Sequence, residues 1–181
     1  MCPSHVVGDF EELGTKKVQP RVRVVLPVQD FTLDWRRCNL IANYMAEYAS
    51  YFFEQKDRAE NLISSVFYEL IEHLALCARE TSSIEVAFST AEGWLVFEIG
   101  LSMPSEQASC FKELLERIHA SDLDSFYMEL LEAGADSDKP EKRMGMVMIA
   151  HDYRAHLSAL LHGEGKLSTV RALVRQEEIT L

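Results

Sequence analysis

A glutamate and a histidine one helical turn apart are the residues of this sequence best suited to chemistry. Glu69 and His73 lie in residues 59–79, where apolar residues recur at helical spacing and form one stripe. Both fall along the margin of that stripe, whereas Glu72 falls on the far side of the helix. A carboxylate removed from water is costly unless it is paired, hydrated or given a ligand. We therefore expect Glu69 to border a cavity or to have a close partner.

Two interpretations of Glu69 follow from this position. A carboxylate at a buried edge can have a raised pKa and act as a general base. Alternatively, Glu69 is a structural acid at the edge of the core that is hydrogen-bonded to His73. The spacing of the two residues allows both interpretations.

Composition limits the classes of function. With 181 residues, the chain can form one ordinary domain with a full core. A formal charge of −11 and a pI near 5.0 would repel a phosphate backbone, so we expect no nucleic-acid partner. No apolar run reaches the roughly 18 residues of a membrane span, and the N-terminus lacks the order of a signal peptide. We expect a cytoplasmic protein that does not bind a membrane.

The order of predicted elements indicates an α+β protein. Residues 1–18 have few periodic apolar positions, which is typical of a flexible N-terminal tail, and residues 19–181 are predicted to form a single domain. A short edge strand ends at Pro27, and two helices follow it, the first of them with Asp34 as its cap. Glu92 and Gly93 then form the turn of a hairpin.

Two further helices are predicted after Pro104, the second closing at Gly134, and residues 144–150 are compatible with a helix. The last strands are predicted at residues 155–161 and 167–174, joined by a glycine-containing turn. This order predicts a two-layer α+β sandwich, in which helices cover one face of a mostly antiparallel or mixed sheet.

Several strings resemble motifs of one ATP-binding fold. Residues 67–74, Phe-Tyr-Glu-Leu-Ile-Glu-His-Leu, resemble a helix that reads N-E-L-x-E-N-A. Residues 145–153 resemble a G-L-G-x-x-x-I-x-D-Y segment, in which a glycine-rich turn leads into a helix. Residues 98–103 fall where a D-x-G-x-G box is expected. Over residues 20–178 the chain therefore resembles the GHKL-type (histidine kinase-like) ATPase fold in its small stand-alone regulatory form, related to the anti-sigma-factor serine kinases of bacteria.

The resemblance implies roles for individual residues. Glu69 matches the acid that activates water or a hydroxyl, and His73 occupies the place of a magnesium-binding asparagine. Gly100 lies in the adenine box, which lacks its aspartate here. Lys142, Arg143 and Gly145 correspond to a reduced phosphate-binding turn, where two cations could hold an anion. Because magnesium prefers oxygen donors, we expect no metal site and no cofactor, and regard binding of Mg-ATP as doubtful.

Partners are implied by a second resemblance. Residues 35–38, Trp-Arg-Arg-Cys, and residues 43–45, Asn-Tyr-Met, resemble a group of bacterial regulators in this fold that accompany STAS-domain anti-sigma antagonists and serine phosphatases. The acidic residues between 122 and 141 could present a surface to a basic partner or simply form a solvated helix face and loop. A homodimer could form through aromatic residues that exceed one buried stripe, namely Tyr44, Tyr48, Tyr51, Phe52 and Phe53.

The function that the sequence indicates is that of a non-catalytic or nearly inactive pseudokinase-like regulator, which binds another protein in a bacterial signalling switch. One alternative is an ATP-dependent serine kinase or ATPase with Glu69 as its general base. Another is a sensor that binds a small ligand in the former nucleotide cavity. A metal-dependent phosphohydrolase built on His151 and Asp152 would need an upstream histidine, and none has suitable spacing.

Overall fold

The structure is a computed structural model that describes residues 5–10, 21–135, 143–163 and 166–179. Its six strands form one sheet in the order β1-β5-β6-β4-β3-β2, and every pairing is antiparallel. The elements follow the chain as β1 (His5–Val7), β2 (Val22–Pro27), α1 (Gln29–Leu33), α2 (Arg36–Ser50), α3 (Lys56–Cys77), β3 (Ser83–Ala91), β4 (Trp94–Leu101), α4 (Ser105–Ala120), α5 (Leu123–Ala135), α6 (Met144–Asp152), β5 (His156–Leu161), β6 (Ser168–Arg175) and a short 3-10 helix (Gln176–Ile179).

The predicted α+β sandwich is confirmed. Alternate strand residues such as Val86, Phe97 and Val170 are buried and belong to one hydrophobic core with the helices. The strand β2 is an edge strand and ends at Pro27, as predicted. Among the described residues, no helix combines the length and the apolar character needed to cross a bilayer.

The central hairpin also forms as its turn residues predict. Ala91 pairs with Trp94, so Glu92 and Gly93 make a two-residue loop. Their φ angles are 52° and 82°, and this left-handed pair suits the right-handed twist of the flanking strands. The hairpin therefore fixes the register of β3 and β4, two interior strands of the sheet.

Phe67 anchors the long helix α3 on the sheet. Its ring lies 4.9 Å from that of Phe97 and 6.3 Å from that of Phe88, both in edge-to-face geometry. All three side chains are fully buried. Such aromatic pairs contribute about 0.5–1.5 kcal/mol beyond the area that they bury. The contact fixes which side of α3 faces the sheet and therefore where Glu69 points.

The N-terminus differs from the predicted tail. Residues 5–7 form β1, which pairs with β5 at the edge of the sheet. The guanidinium of Arg171 lies over the ring of Phe10, with Cζ 4.3 Å from the ring centre. The same guanidinium donates a hydrogen bond to the carbonyl oxygen of Phe10. Pairing with a distant strand outweighs the weak local pattern of this segment. Residues 11–18 of the predicted tail lie outside the described residues.

A short helix, α1, was not predicted and precedes α2. Phe31 is its buried residue, which is too little apolar periodicity to indicate a helix. The expected cap of α2 is present in modified form, because Trp35 takes the N-cap position. The carboxylate of Asp34 still accepts a hydrogen bond from the backbone N–H of Arg36 at 3.2 Å.

Candidate functional site

Glu69 lies half-buried on α3, at the margin of the apolar side. Burial raises the pKa of its carboxyl group to about 7, and the negative charge of Glu72 contributes to the same shift. Near neutral pH both the protonated and the ionised form are therefore populated. This protonation behaviour suits both a general base and an acid that is held neutral inside the fold.

The sequence placed Glu72 on the solvent-facing side of the helix, and this prediction is wrong. It is half-buried, and its carboxylate accepts a hydrogen bond of 2.9 Å from the hydroxyl of Tyr68. Cys38 of α2 packs nearby, and burial together with the charge of Glu72 raises the pKa of its thiol to about 11. On this side α3 is covered by α2, and on another side it is covered by the sheet. The apolar stripe of α3 indicated one buried side and did not predict the contact with α2.

Gly145 brings the start of α6 against Glu69. A Cβ atom at this position would overlap Oε2 of Glu69, so only glycine permits the approach. Met144 begins α6, which places the carboxylate beside the first turn of that helix. The positive end of a helix dipole favours an anion there. Glu69 therefore stands where a helix N-terminus would hold a phosphate.

The other predicted site residues do not all lie beside Glu69. His73 is half-buried, and its ring centre lies 5.7 Å from that of Phe111. Arg143 is the N-cap residue of α6 and is exposed. Gly100 lies within β4, paired with Glu85 on the face opposite the core, and so is not beside Glu69. Lys142 lies outside the described residues.

His151 sits between two carboxylates at the end of α6. Its Nε2 lies 3.2 Å from Oδ1 of Asp124 and its Nδ1 lies 2.7 Å from Oδ1 of Asp152. Its ring stacks on that of Tyr127 with centres 4.3 Å apart. Within the described residues, no three His, Cys, Asp or Glu side chains are grouped to hold a metal ion. The contacts tie α5 to α6.

Acidic residues on α5 and just before it are engaged within the chain. Glu129 accepts two hydrogen bonds from Arg117, at 2.9 and 2.6 Å. Asp122 accepts a hydrogen bond from Ser125, and Asp124 contacts His151. These pairs favour the interpretation of a solvated helix face over that of a dedicated acidic docking surface. Residues 136–141 of the acidic stretch lie outside the described residues.

Large apolar side chains are exposed on α2 and beside its two ends. The helix buries its opposite side, including Ala42, Met45 and Ala49. Leu40 is 66% exposed and Trp35 is 63% exposed, although both follow the apolar period of this helix. We call the exposed set the aromatic surface; it comprises Leu33, Trp35, Leu40, Tyr44, Tyr48, Tyr51 and Phe52. Of the aromatic residues predicted for a homodimer, Phe53 alone is half-buried against the core.

Cations flank one end of the aromatic surface. Lys56 lies over the ring of Tyr51, 3.9 Å from its centre, and Arg21 lies 4.5 Å from the centre of the Phe52 ring. Tyr48 packs edge-to-face on Phe52 with centres 5.8 Å apart. The sequence contained a usable sign of this surface, because aromatic residues outnumber the positions that one buried stripe requires.

Comparison with known proteins supports the fold. No family model and no curated protein matches the sequence. Among solved structures, the chain is similar to one from the crystal structure of the SiaB-SiaC complex from Pseudomonas aeruginosa, with a TM-score of 0.61 and 17% identity. The match covers 87% of this chain and 92% of that chain. At this identity the likeness shows a shared fold.

Proposed function

We propose that the protein is a non-catalytic or nearly inactive regulator with a GHKL-type fold, which acts by binding another protein in a bacterial signalling switch. The aromatic surface on α2 is the observation that carries this proposal. Monomeric proteins rarely expose contiguous apolar patches larger than about a few hundred Å², and patches above that size mark interaction sites. Tyrosine and tryptophan are also enriched among residues that dominate binding energy.

The surroundings of the aromatic surface suit a protein partner. Asp34 and Arg36 form an ion pair at the start of α2, and Asp30 pairs with Arg37 beside it. A polar rim around an apolar centre is the usual anatomy of a specific interface. The structural neighbour comes from a complex of two proteins, which supports partner binding for this fold. The partner that the sequence resemblance implies is a STAS-domain anti-sigma antagonist or a serine phosphatase.

The geometry around Glu69 supports the absence of efficient nucleotide chemistry. Its carboxyl group lies against Gly145 at the start of α6 and so occupies the position where a helix N-terminus would receive a phosphate. His73 offers a nitrogen where magnesium prefers oxygen. These residues do not fit Mg-ATP well, and the proposal assigns the fold to recognition.

Hydroxyl-radical footprinting of a complex tests the proposal. A purified STAS-domain protein or serine phosphatase from the same organism serves as the partner. We expect Tyr44, Tyr48 and Tyr51 to be oxidised in the free protein and protected in the complex. Met128, which is exposed on α5, should remain reactive in both states and is the internal control. Unchanged oxidation of the three tyrosines in a formed complex would place the interface elsewhere.

A homodimer would cover the same surface without a second protein. Light scattering coupled to size exclusion distinguishes a homodimer from a different partner. At protein concentrations from about 1 to 100 μM, a dimer with a micromolar Kd shows an average mass that rises with concentration. A monomer throughout would remove the homodimer. A dimer that a Tyr44→Glu substitution dissociates would make self-association the use of this surface.

The raised pKa of Glu69 favours a second candidate, an ATP-dependent serine kinase or ATPase with this residue as general base. Isothermal titration with Mg-ATP distinguishes it from the first proposal. Micromolar binding that disappears in His73→Ala, together with turnover that disappears in Glu69→Gln, would establish the enzyme. The absence of binding heat up to about 1 mM Mg-ATP would mean a binding free energy weaker than about 4 kcal/mol. This result would favour the non-catalytic regulator.

A further inference from the structure

A cavity of about 730 Å³ lies at the end of α6 that is remote from Gly145. Ala150 and His151 of α6 line it, and these residues are separated from the first turn by about 8 Å along the helix axis. The cavity is therefore separate from the Glu69 site. Its walls come from the N-terminal segment, the end of α4, the start of α5, the end of α6 and the start of β5.

The N-terminal segment forms a fixed wall of this cavity. Gly8 has a φ of +70°, which glycine adopts without strain. A Cβ there would lie 2.7 Å from Cε1 of His119 and 2.8 Å from the carbonyl oxygen of Leu157. His119 is itself held, because its Nε2 lies 2.8 Å from that same carbonyl oxygen. The strand β1 anchors the chain just before this point.

Arg154 occupies a backbone position that is better suited to glycine. It follows the end of α6 with a φ of +49°, in the left-handed region that disfavours side chains. Its side chain is exposed at the cavity and forms no ion pair with another described residue. Strained positions persist where the surrounding structure or a function requires them. An unpaired guanidinium can bind a carboxylate or a phosphate through two hydrogen bonds.

Ser158 adds a second polar group. It is 3% exposed and lines the cavity, and its hydroxyl has no hydrogen-bond partner among the described residues. A buried hydroxyl without a partner is rare. Its oxygen is covered as the side chain stands, so a rotation about χ1 must bring it to a ligand oxygen. Two carboxylates, Asp9 and Asp124, also line the cavity, and Asp124 contacts His151. The apolar part of the lining includes Ile118, Leu123, Leu157 and Leu173.

We propose that this cavity binds a small organic anion, a carboxylate or phosphate monoester with an apolar body. Arg154 pairs with the anionic group and Ser158 hydrogen-bonds to the ligand, while the apolar lining covers its body. The cavity volume falls in the range of small-molecule sites. This inference uses none of the residues of the aromatic surface and does not depend on the proposed function.

Three probes of similar size test the ligand class in the full chain. Phenyl phosphate and benzoate carry an anionic group on a phenyl ring, and benzamide is the neutral analogue of benzoate. Ligand-observed NMR should show binding of at least one anion with a Kd below about 1 mM and at least tenfold weaker binding of benzamide. Preference for phenyl phosphate or for benzoate identifies the anionic group. Equal binding of benzoate and benzamide, or no binding of either anion, would overturn the proposal.

Variants locate the binding to this cavity. Arg154→Gly keeps the left-handed backbone and removes the guanidinium, so the protein should remain folded and bind the anion at least about tenfold more weakly. Ser158→Ala should weaken binding about threefold to tenfold. Arg58→Gln, on α3 and outside the cavity lining, is the matched control and should bind as the wild type does. Unchanged affinity in Arg154→Gly, or an equal loss in Arg58→Gln, would refute the site.

Discussion

Replacing Glu69 by glutamine should stabilise the protein above neutral pH. Glutamine has nearly the same shape and cannot ionise, so it removes the cost of holding a carboxylate in a half-buried position. Burial and the charge of Glu72 raise the folded-state pKa of this group from 4.5 to about 7. The unfolded chain has the ordinary value. Protonated Glu69 therefore favours the folded state, and this contribution is complete below about pH 4.5 and lost as pH rises through about 7.

The size of the effect follows from the same shift. The difference between the folded and unfolded pKa of Glu69 corresponds to a change of about 3 kcal/mol in the free energy of unfolding between low pH, where the group is protonated, and high pH, where it is ionised. Because the side chain is only half-buried, solvent screens part of this cost, and we expect about 1–2 kcal/mol. Between pH 5 and pH 8.5 the wild type should lose this amount relative to Glu69→Gln.

Urea denaturation at pH 5, 7 and 8.5 measures the effect. The control is Glu113→Gln, since Glu113 is an exposed glutamate on α4 without an ion pair among the described residues. We expect the unfolding free energy of Glu69→Gln to exceed that of the wild type at pH 8.5 and the difference to shrink at pH 5. Glu113→Gln should follow the wild type at every pH. A Glu69→Gln variant that is less stable at pH 8.5, or a difference that does not change with pH, would refute the reasoning.

Three other substitutions test particular contacts by the same denaturation assay. Gly145→Ala should lower the free energy of unfolding by about 1–3 kcal/mol, because the new Cβ overlaps Glu69. In a Glu69→Ala background the loss should be at least about 0.5 kcal/mol smaller. Equal losses in the two backgrounds would contradict the contact. Phe67→Ala should cost about 3–5 kcal/mol because it leaves a void between α3 and the sheet, and a loss below about 1 kcal/mol would show that the ring is not a core anchor. Arg154→Gly should be about 0.5 kcal/mol more stable than the wild type, because relief of a left-handed strain of about 1 kcal/mol exceeds the added freedom of the unfolded chain; a marked loss of stability would show that the side chain supports the fold.

The sequence predicts much of this fold because local signals agree with the final contacts. The pair Glu92-Gly93 fixes a hairpin turn by backbone conformation alone, and Pro27 marks an edge strand because it lacks a donor. The strand β1 gives no such sign, because three residues with one buried side chain have no detectable period. Its partner β5 lies at the other end of the chain, and tertiary pairing decides its structure.

The roles of the predicted site residues stay a prediction. The structure brings Glu69 and Gly145 together, and this approach does not test a role in binding or catalysis. The burial of Glu72 was missed because it depends on how α2 packs against α3, which the period of one helix does not contain. The positive φ of Arg154 and the unpartnered hydroxyl of Ser158 leave no mark on the sequence, since both arise from the path of the chain around the cavity.

Partner binding by the aromatic surface without nucleotide is the central claim, and biolayer interferometry tests it most directly. An immobilised STAS-domain protein or serine phosphatase from the same organism is exposed to wild type, Tyr44→Glu and Met128→Glu in buffer without nucleotide. Both substitutions replace an exposed apolar side chain on a helix, and each should change stability by no more than about 0.5 kcal/mol. We expect wild type and Met128→Glu to bind alike and Tyr44→Glu to bind at least about tenfold more weakly. Equal binding by Tyr44→Glu, or a complex that forms only when Mg-ATP is added, would contradict the account.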